Sequence, residues 1–170
     1  MGITVLQLNI SNFQRLKYTL SLEVHNHQPD IILLNETGIV EINQLKLRGY
    51  NSMGNNNTNF HGVAIFVKTD FKFEQIVLKD NGILAIKVQT TMGEIIFSTA
   101  YSPPRENSLP IVSLNRIFSH NLPTLLIADL NAHHAIVDNL GKRKYPDPKG
   151  KQLFNLMSRR NLNYLGPLIS

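Results

Sequence analysis

Polar residues follow three of the apolar runs that the sequence predicts as buried strands. Asn9 closes the first run, and Glu36 comes just after the second. Asp129 and Asn131 follow a third run. A carboxylate at the end of a buried strand loses hydration, and a cation, a set of hydrogen bonds or a metal must compensate for that loss. Two carboxylates and two amides at one sheet edge would form an oxygen-rich site suited to Mg²⁺, which keeps waters and takes further ligands from a substrate phosphate.

Each of these residues also has a purely structural interpretation. A Glu after a strand is commonly a turn or cap residue, and an Asp-X-Asn sequence commonly forms an Asx turn. Asp129 and Asn131 are two residues apart, so their side chains point to the same side if the strand continues through both. The hypothesis of a joint site therefore depends on the strands ending close together.

Tyr101 is a further candidate because it ends a predicted strand just before Ser102-Pro103-Pro104. The rigid Pro pair would fix its direction, and a phenol there could hydrogen-bond a phosphate oxygen. The alternative is an ordinary strand-end Tyr, half in the core and half in water. His133 and His134 are adjacent, and neighbouring side chains diverge in most backbones. A zinc pair is therefore not expected without a third ligand from elsewhere.

Hydrophobic periodicity predicts the elements that must position these residues. A strand is predicted at residues 3–10, followed by a helix that Ser11 or Asn12 can cap. A second strand is predicted at residues 31–34. A strand, a helix of about twelve residues and another strand are the usual way to join two parallel neighbours.

The rest of the chain mixes strands, turns and two more helices. Turn residues between successive strands favour an antiparallel meander. Together with the parallel pair, this predicts an α/β sandwich of two packed mixed sheets with helices outside. The predicted elements are, in order, a loop at 51–59, strands at 62–68, 71–78, 83–89 and 95–101, a helix at 109–120, a strand at 124–128 and a helix at 149–160.

Composition narrows the class of protein. The chain has 170 residues and no Cys, which excludes disulfide scaffolds, cysteine nucleophiles and thiolate metal sites. No apolar run approaches the roughly 20 residues of a membrane-spanning helix. The first residues lack the basic segment of a signal peptide. A single intracellular domain without a membrane partner is expected.

The charge of the chain is +5, and the excess is confined to its C-terminal part. Residues 101–170 contain nine basic and four acidic residues, whereas residues 1–100 contain eight of each. A basic surface concentrates polyanions, of which nucleic acid is the commonest, although it can also be a simple solvated face. The residues predicted to contact DNA are Lys142, Arg143, Lys144, Lys149 and Lys151.

These residues resemble those of a known group. Five sequence blocks occur in the order found in the endonuclease/exonuclease/phosphatase superfamily, and they are most similar to the apurinic-endonuclease-like domain of non-LTR retrotransposons. The blocks are Leu6-Gln7-Leu8-Asn9-Ile10, Leu33-Leu34-Asn35-Glu36-Thr37, His61-Gly62-Val63-Ala64-Ile65, Ala100-Tyr101-Ser102-Pro103-Pro104 and Ala128-Asp129-Leu130-Asn131-Ala132-His133-His134.

The resemblance implies a four-layer α/β sandwich that nicks one strand of double-stranded DNA with Mg²⁺ or Mn²⁺ as cofactor. It implies that Glu36 binds the metal and that Asn9 supports it. Tyr101 and Asn131 would hold the scissile phosphate, and Asp129 would orient or deprotonate the attacking water. The 3′-hydroxyl left by the nick would prime reverse transcription in the nucleus by a downstream reverse transcriptase domain.

Two departures from the group accompany this resemblance. Ser11 stands where repair-type relatives carry an acidic residue, which favours the retrotransposon branch. Relatives continue beyond Leu165-Gly166-Pro167 with two strands that carry an Asp and a Ser-Asp-His triplet, and neither occurs here. The domain at 1–170 is therefore expected to be incomplete at its C-terminus. The alternatives are an inactive remnant that only binds DNA and a phosphoesterase of the same superfamily.

Overall fold

Eight strands form two mixed four-stranded sheets in the computed structural model, which describes residues 2–38, 42–54, 62–134 and 145–166. None of the helices within these ranges combines the length and the apolar composition needed to span a bilayer. The elements are β1 (Val5–Asn9), α1 (Phe13–His27), β2 (Ile31–Asn35), a 3₁₀ turn (Ile42–Gln44), β3 (Tyr50–Gly54), β4 (Ala64–Lys68), β5 (Phe73–Gln75), β6 (Ile83–Thr90), β7 (Gly93–Tyr101), α2 (Ile111–Phe118), β8 (Thr124–Asp129) and α3 (Pro148–Arg160).

The first sheet has the order β1-β2-β4-β3. β1 and β2 are parallel, as predicted, and α1 connects them. The Asn12 side chain caps α1 by accepting a hydrogen bond of 3.0 Å from the backbone N–H of Arg15. Gln28 ends the helix in the left-handed conformation. Phe13 of α1 packs on the outer face of the sheet, where its ring stacks on that of Phe66.

The second sheet has the order β5-β6-β7-β8. β5, β6 and β7 form an antiparallel meander, and β8 is parallel to β7 after the connection through α2. α2 and α3 cover the outer face of this sheet, where Leu114 and Leu156 pack with Ile83 and Ile96. Each sheet therefore has helices on its outside.

The main core lies between the two sheets. Side chains alternate between the two faces of a strand, and both faces of β2 are buried. Ile31 and Leu33 face the second sheet, where they pack with Ile86, whereas Ile32 and Leu34 face α1. The layers are thus helix, sheet, sheet and helices, which confirms the predicted α/β sandwich.

Two of the predicted elements are wrong. The predicted loop at 51–59 begins inside β3, an edge strand that pairs with β4; residues 55–59 lie outside the described ranges. Apolar periodicity misses β3 because exposed Asn51 faces water, while the Ser52 hydroxyl is satisfied by the Leu45 carbonyl. The meander also begins at β5 and not at β4, since β4 pairs with β2 and β3 in the other sheet. Turn residues predict antiparallel neighbours but carry no information on which sheet a strand joins.

A buried amide joins the two sheets at one edge. Asn35, the last residue of β2, is fully buried. Its Nδ2 donates to the Ala100 carbonyl at 2.9 Å and to the Thr99 hydroxyl at 3.1 Å, both on β7. Its Oδ1 accepts from Nε2 of Gln7 on β1 at 3.0 Å. The amide thus connects β1, β2 and β7.

Replacing Asn35 with Leu is expected to destabilise the fold. The substitution keeps the volume but leaves the Gln7 amide and the Ala100 carbonyl without this partner, and each buried group so left costs about 1–3 kcal/mol. Urea denaturation followed by circular dichroism measures the change. Asn26→Leu, at an exposed position of α1, is the control and should change the free energy of unfolding by about 0.5 kcal/mol or less. Equal effects of the two variants would contradict this role for Asn35.

Candidate active site

The predicted site residues meet at one edge of the sandwich. Asn9 lies opposite Asn35 at the carboxyl ends of β1 and β2, and Tyr101 lies opposite Asp129 at those of β7 and β8. The Asn35 amide holds these two pairs of strand ends together through Ala100. The expected convergence of the strand ends is therefore present.

Asn9 and Glu36 form the part of the site on the first sheet. Nδ2 of Asn9 donates to Oε1 of Glu36 at 2.7 Å, and Oδ1 of Asn9 accepts from the Ser11 N–H at 3.3 Å. Glu36 has a φ of +55°, a conformation that costs a residue with a Cβ about 1–2 kcal/mol. Its neighbours fix it there, because the backbone carbonyls of Asn35 and Thr37 accept hydrogen bonds at 3.0 and 2.8 Å. Strain of this kind is typical of functional sites.

Tyr101 is a neutral hydrogen-bond donor between two carboxylates. Its side chain is 7% exposed. Burial raises the pKa of Tyr101 to about 12, with further contributions from the negative charges of Glu36 and Asp129 and from a hydrogen bond to Glu36. The phenol therefore stays protonated over the physiological range. Its one proton is hydrogen-bonded to Glu36, the carboxylate that begins the other half of the site.

Asp129 and Asn131 are held by an Asx turn. β8 ends at Asp129, and Asn131 has a φ of +45°. Oδ1 of Asp129 accepts from the Asn131 N–H at 3.2 Å, and Nδ2 of Asn131 donates to the Ser102 carbonyl at 3.1 Å. The strand alternation considered in the sequence thus stops before Asn131. The turn is what keeps Asn131 at the same edge as Asp129.

Lys149 occupies a position that charge counting does not reveal. It is 2% exposed, so its expected place on an exposed basic surface is wrong. Its Nζ donates to the Pro103 carbonyl at 2.9 Å and to the hydroxyl and carbonyl of Ser102 at 3.3 and 3.4 Å. Burial lowers the pKa of Lys149, while the charges of Asp147, Glu106 and Asp129 oppose that change. Lys149 thereby fixes the loop that follows Tyr101.

The remaining predicted DNA contacts divide into two groups. Lys151 is exposed on α3. Lys142, Arg143 and Lys144 lie outside the described residues, as does His61 of the third sequence block. The proposed basic surface therefore stays a prediction for these positions.

The first turn of α3 is joined to the segment after Asn131. Oδ1 of Asp147 accepts from the N–H groups of Gly150 at 2.6 Å and His133 at 3.2 Å. Burial acts to raise the pKa of Asp147, but these two backbone hydrogen bonds together with the charges of His133 and Lys149 outweigh it, and the pKa lies below its ordinary value. A Cβ on Gly150 would lie 1.9 Å from the His133 carbonyl oxygen, so only Gly fits. The His134 ring stacks on Phe154, with 4.7 Å between ring centroids.

Three supporting residues were missed in the sequence. Gly82 has a φ of +72°, and its carbonyl accepts from the Tyr101 N–H at 2.7 Å. A Cβ on Gly82 would lie 2.7 Å from the Tyr101 carbonyl oxygen. Asp147 carries a readable signal, since Asp before Pro148 is typical of an N-cap followed by Pro at the first helical position. Ser102 carries no such signal.

The donor set at this edge fits a hard divalent cation. In the described residues no three His, Cys, Asp or Glu side chains are grouped as metal ligands. Mg²⁺ needs fewer than three ligands from the protein, because it keeps several waters and takes further ligands from the substrate phosphates. The Glu36 carboxylate supplies oxygens of the preferred kind. The Asn9 Nδ2 donates to that carboxylate at 2.7 Å, and the Asn9 Oδ1, which accepts from Ser11 at 3.3 Å, has a second lone pair for a cation.

Comparison with known proteins shows the fold. No protein-family model and no curated protein matches the sequence. The endonuclease domain of TRAS1, a telomere-specific non-LTR retrotransposon, is similar with a TM-score of 0.78 and 20% identity over 98% of this chain and 74% of that one. The AP endonuclease LMAP from Leishmania major has a TM-score of 0.70 and 12% identity, over 94% of this chain and 67% of that one. An endonuclease/exonuclease/phosphatase family protein from Bacteroides thetaiotaomicron has a TM-score of 0.58 and 17% identity, over 79% of this chain and 64% of that one.

These similarities confirm the expected α/β sandwich, the fold that the chain shares with these three structures. The chain spans 64% to 74% of the length of these three structures. At such identities the likeness concerns the fold, and the chemistry has to be argued from the residues at the edge.

Tyr101 is expected to lose its proton later than an ordinary phenol. Its pKa of about 12 lies above the ordinary 10.0. The folded state therefore binds this proton more tightly than the unfolded state, and the associated stability is lost as the pH rises from about 10 towards 12. Tyrosinate absorbance in a pH titration should contain a late component that Tyr101→Phe diminishes, and Tyr50, whose pKa burial also raises, accounts for late absorbance that remains. Tyr18→Phe, at an exposed position, should leave that component in place, and its loss there would contradict the assignment.

Lys149→Met is expected to destabilise the protein, because it removes a buried charged donor from three acceptors. Leaving buried acceptors unpaired costs about 1–3 kcal/mol or more. Lys151→Met provides the control, since Lys151 lies on the same helix with its side chain exposed. Both variants lose the same charge, so urea denaturation compares burial alone. Indistinguishable midpoints would mean that the buried ammonium has no such role.

Proposed function

We propose that this chain is a divalent-metal-dependent DNA endonuclease domain of a non-LTR retrotransposon. The observation that carries the proposal is the meeting of Asn9, Glu36, Tyr101, Asp129 and Asn131 at one edge of a sandwich whose fold is shared with a retrotransposon endonuclease domain. The substrate is double-stranded DNA, and the action is in the nucleus. The nick would supply the primer for a downstream reverse transcriptase domain.

In this proposal the first sheet provides the cation site. Glu36 and Asn9 would hold Mg²⁺ or Mn²⁺, which supplies charge neutralisation at the scissile phosphate when bound. The hydrogen bond between Asn9 and Glu36 restricts the carboxylate to one orientation. The fixed left-handed backbone at Glu36 does the same for the main chain. Little reorganisation is then needed when the substrate binds.

The second sheet provides the groups that act on the phosphate and on water. Tyr101, protonated because of its burial, donates to Glu36, and it would turn its one proton to a non-bridging phosphate oxygen in exchange for that bond when the carboxylate binds the metal. Asn131 uses one amide N–H on the Ser102 carbonyl, and its second N–H is available for the phosphate. Asp129 accepts the Asn131 N–H on one oxygen, and a carboxylate has further acceptor sites with which it can orient and deprotonate water.

Relaxation of supercoiled plasmid tests the reaction. The chain is expected to nick the plasmid in the presence of Mg²⁺. Asp129→Asn should lower the rate by about 10²–10⁴-fold, as for loss of a general base. Glu36→Gln should shift the metal concentration needed for half-maximal rate upwards, because it removes the anionic ligand. Asp70→Asn changes an exposed carboxylate outside the site and serves as the matched control with unchanged rate.

The same assay distinguishes the alternatives. DNA binding without nicking at any metal concentration would identify a non-catalytic DNA-binding domain. Hydrolysis of small phosphomonoesters without nicking would identify a phosphoesterase. Nicking that survives both Glu36→Gln and Asp129→Asn would contradict the site assignment.

A further inference from the structure

A basic groove runs along α1 on the first sheet, and we call it the far groove. Its volume is about 940 Å³, and α1 contributes lining residues from Lys17 to Gln28. The opposite wall is the segment from Leu45 to Tyr50 that leads into β3. Tyr50 and Lys68, which pair across β3 and β4, close one end.

The far groove shares no residue with the candidate active site. Its Lys17 end lies one turn into α1, which begins four residues after β1, whereas its closed end is farther from the site. Its closed end lies beside the amino end of β2, because Lys68 follows directly on Val67, the partner of Ile31. Glu36 follows the other end of that strand. β2 has five residues, so the two places are about 17 Å apart along the strand at about 3.3 Å per residue.

The charge of the far groove is strongly positive. Lys17, Lys46, Arg48 and Lys68 line it, and none of its lining residues in the described ranges is acidic. Asp30 pairs with Lys68 at 3.6 Å and offsets one of the four charges. Three cations therefore remain around one concave surface. Such a surface concentrates anions.

The floor and rim of the far groove differ in chemistry. Val24 and Leu45 are buried at its floor, whereas Lys46 and Arg48 are exposed at its rim. A free inorganic phosphate has no apolar part for such a floor. A nucleotide chain has both parts, since its phosphates can reach the rim while sugars or bases cover the floor.

The dimensions favour one strand over a duplex. From Lys17 to Gln28 the helix rises about 16 Å at about 1.5 Å per residue, whereas successive phosphates of a strand in a duplex are about 3.4 Å apart along the axis. Several phosphates of one strand therefore fit along the groove. A volume of about 940 Å³ is that of a pocket for a small ligand, so the sugars or bases of one strand can reach the floor, whereas a double helix would contact only the rim.

We propose that the far groove binds a single nucleic-acid strand through its phosphates, independently of the candidate active site. This inference does not rest on the proposed function, because it uses no residue of that site. A chain with this groove can hold a single-stranded segment while the candidate active site is occupied.

Fluorescence anisotropy with a labelled single-stranded oligonucleotide, without divalent metal, tests the proposal. The variant Lys46→Glu/Arg48→Glu reverses two rim charges, and Lys79→Glu/Arg116→Glu reverses an exposed Lys between β5 and β6 and an exposed Arg of α2. The two variants have the same net charge, so long-range effects cancel. The far-groove variant is expected to bind at least about 10-fold more weakly than this control. Equal affinities would overturn the proposal.

Salt dependence and stability provide further readouts. Lys46→Gln/Arg48→Gln should lower the slope of log affinity against log salt by about 1.4, since each lost single-strand phosphate contact contributes about 0.7. An unchanged slope would overturn the proposal. Thermal unfolding of all the variants should match that of the wild type, because both rim residues are exposed. If the Glu and Gln variants lose affinity only in proportion to a loss of thermal stability, that result would count against the proposal.

Competition identifies the ligand. Inorganic phosphate at the same total phosphate concentration should not displace the strand, and equal displacement would replace the proposal by a simple phosphate site. Vesicles of phosphatidylserine and phosphatidylcholine should bind the two charge-reversed variants equally. Vesicle binding that depends on Lys46 and Arg48, with no effect on the oligonucleotide, would overturn the proposal in favour of a lipid surface. Failure of the plasmid assay leaves all these readouts intact.

Discussion

The Asn35 amide is the contact on which the site depends. From the end of β2 this amide makes one hydrogen bond with β1 and two with β7. Apolar packing between the sheets is strong but not directional, so it does not determine how far one sheet slides over the other. A buried amide does, because its partners must lie at particular positions. The relative position of Glu36 and Tyr101 follows from it.

The site residues near Asn35 lie where the chain leaves a strand and enters an irregular segment. Glu36 and Asn131 both have positive φ, and both come immediately after or shortly beyond a strand. Regular strand geometry would carry successive side chains to opposite faces. The left-handed turns redirect the chain instead, and surrounding backbone hydrogen bonds keep them in place. The rigid sandwich thus supports short irregular segments that carry the chemistry.

The sequence predicted most of the framework because burial leaves a strong signal. The run Ile31–Leu34 is apolar on both faces, and its burial in β2 follows directly. A cap at Ser11 or Asn12 and the candidate residues Asn9, Glu36 and Asp129 are local features that can be read at known offsets. The roles of Asn35 and Lys149, which the sequence does not reveal, depend on distant contacts. The Asn35 amide meets a carbonyl 65 positions away, and Lys149 is buried against a loop 46 to 47 positions away.

The strand β3 and the burial of individual cations are hard to predict from the sequence, because both depend on what the rest of the fold places beside them. β3 is polar because only part of it faces the core, so its periodicity resembles that of a loop. Counting cations gives the net field of the chain but not the depth of each side chain. The far groove shows the converse case: Lys17, Lys46, Arg48 and Lys68 are scattered in the sequence, and only the folding of α1 against the segment before β3 brings them together.

The first turn of α3 has a consequence for the lifetime of the site. Gly150 and Asp147 contact His133, and Lys149 contacts Ser102, which in turn accepts from Asn131. Proteins open locally in cooperative units, and this turn shares one such unit with the loops beside Tyr101 and Asp129. When the start of α3 unfolds, those loops lose their supports in the same event. The fraction of molecules with an intact site is then governed by the opening equilibrium of a helix that contributes no side chain to the proposed chemistry.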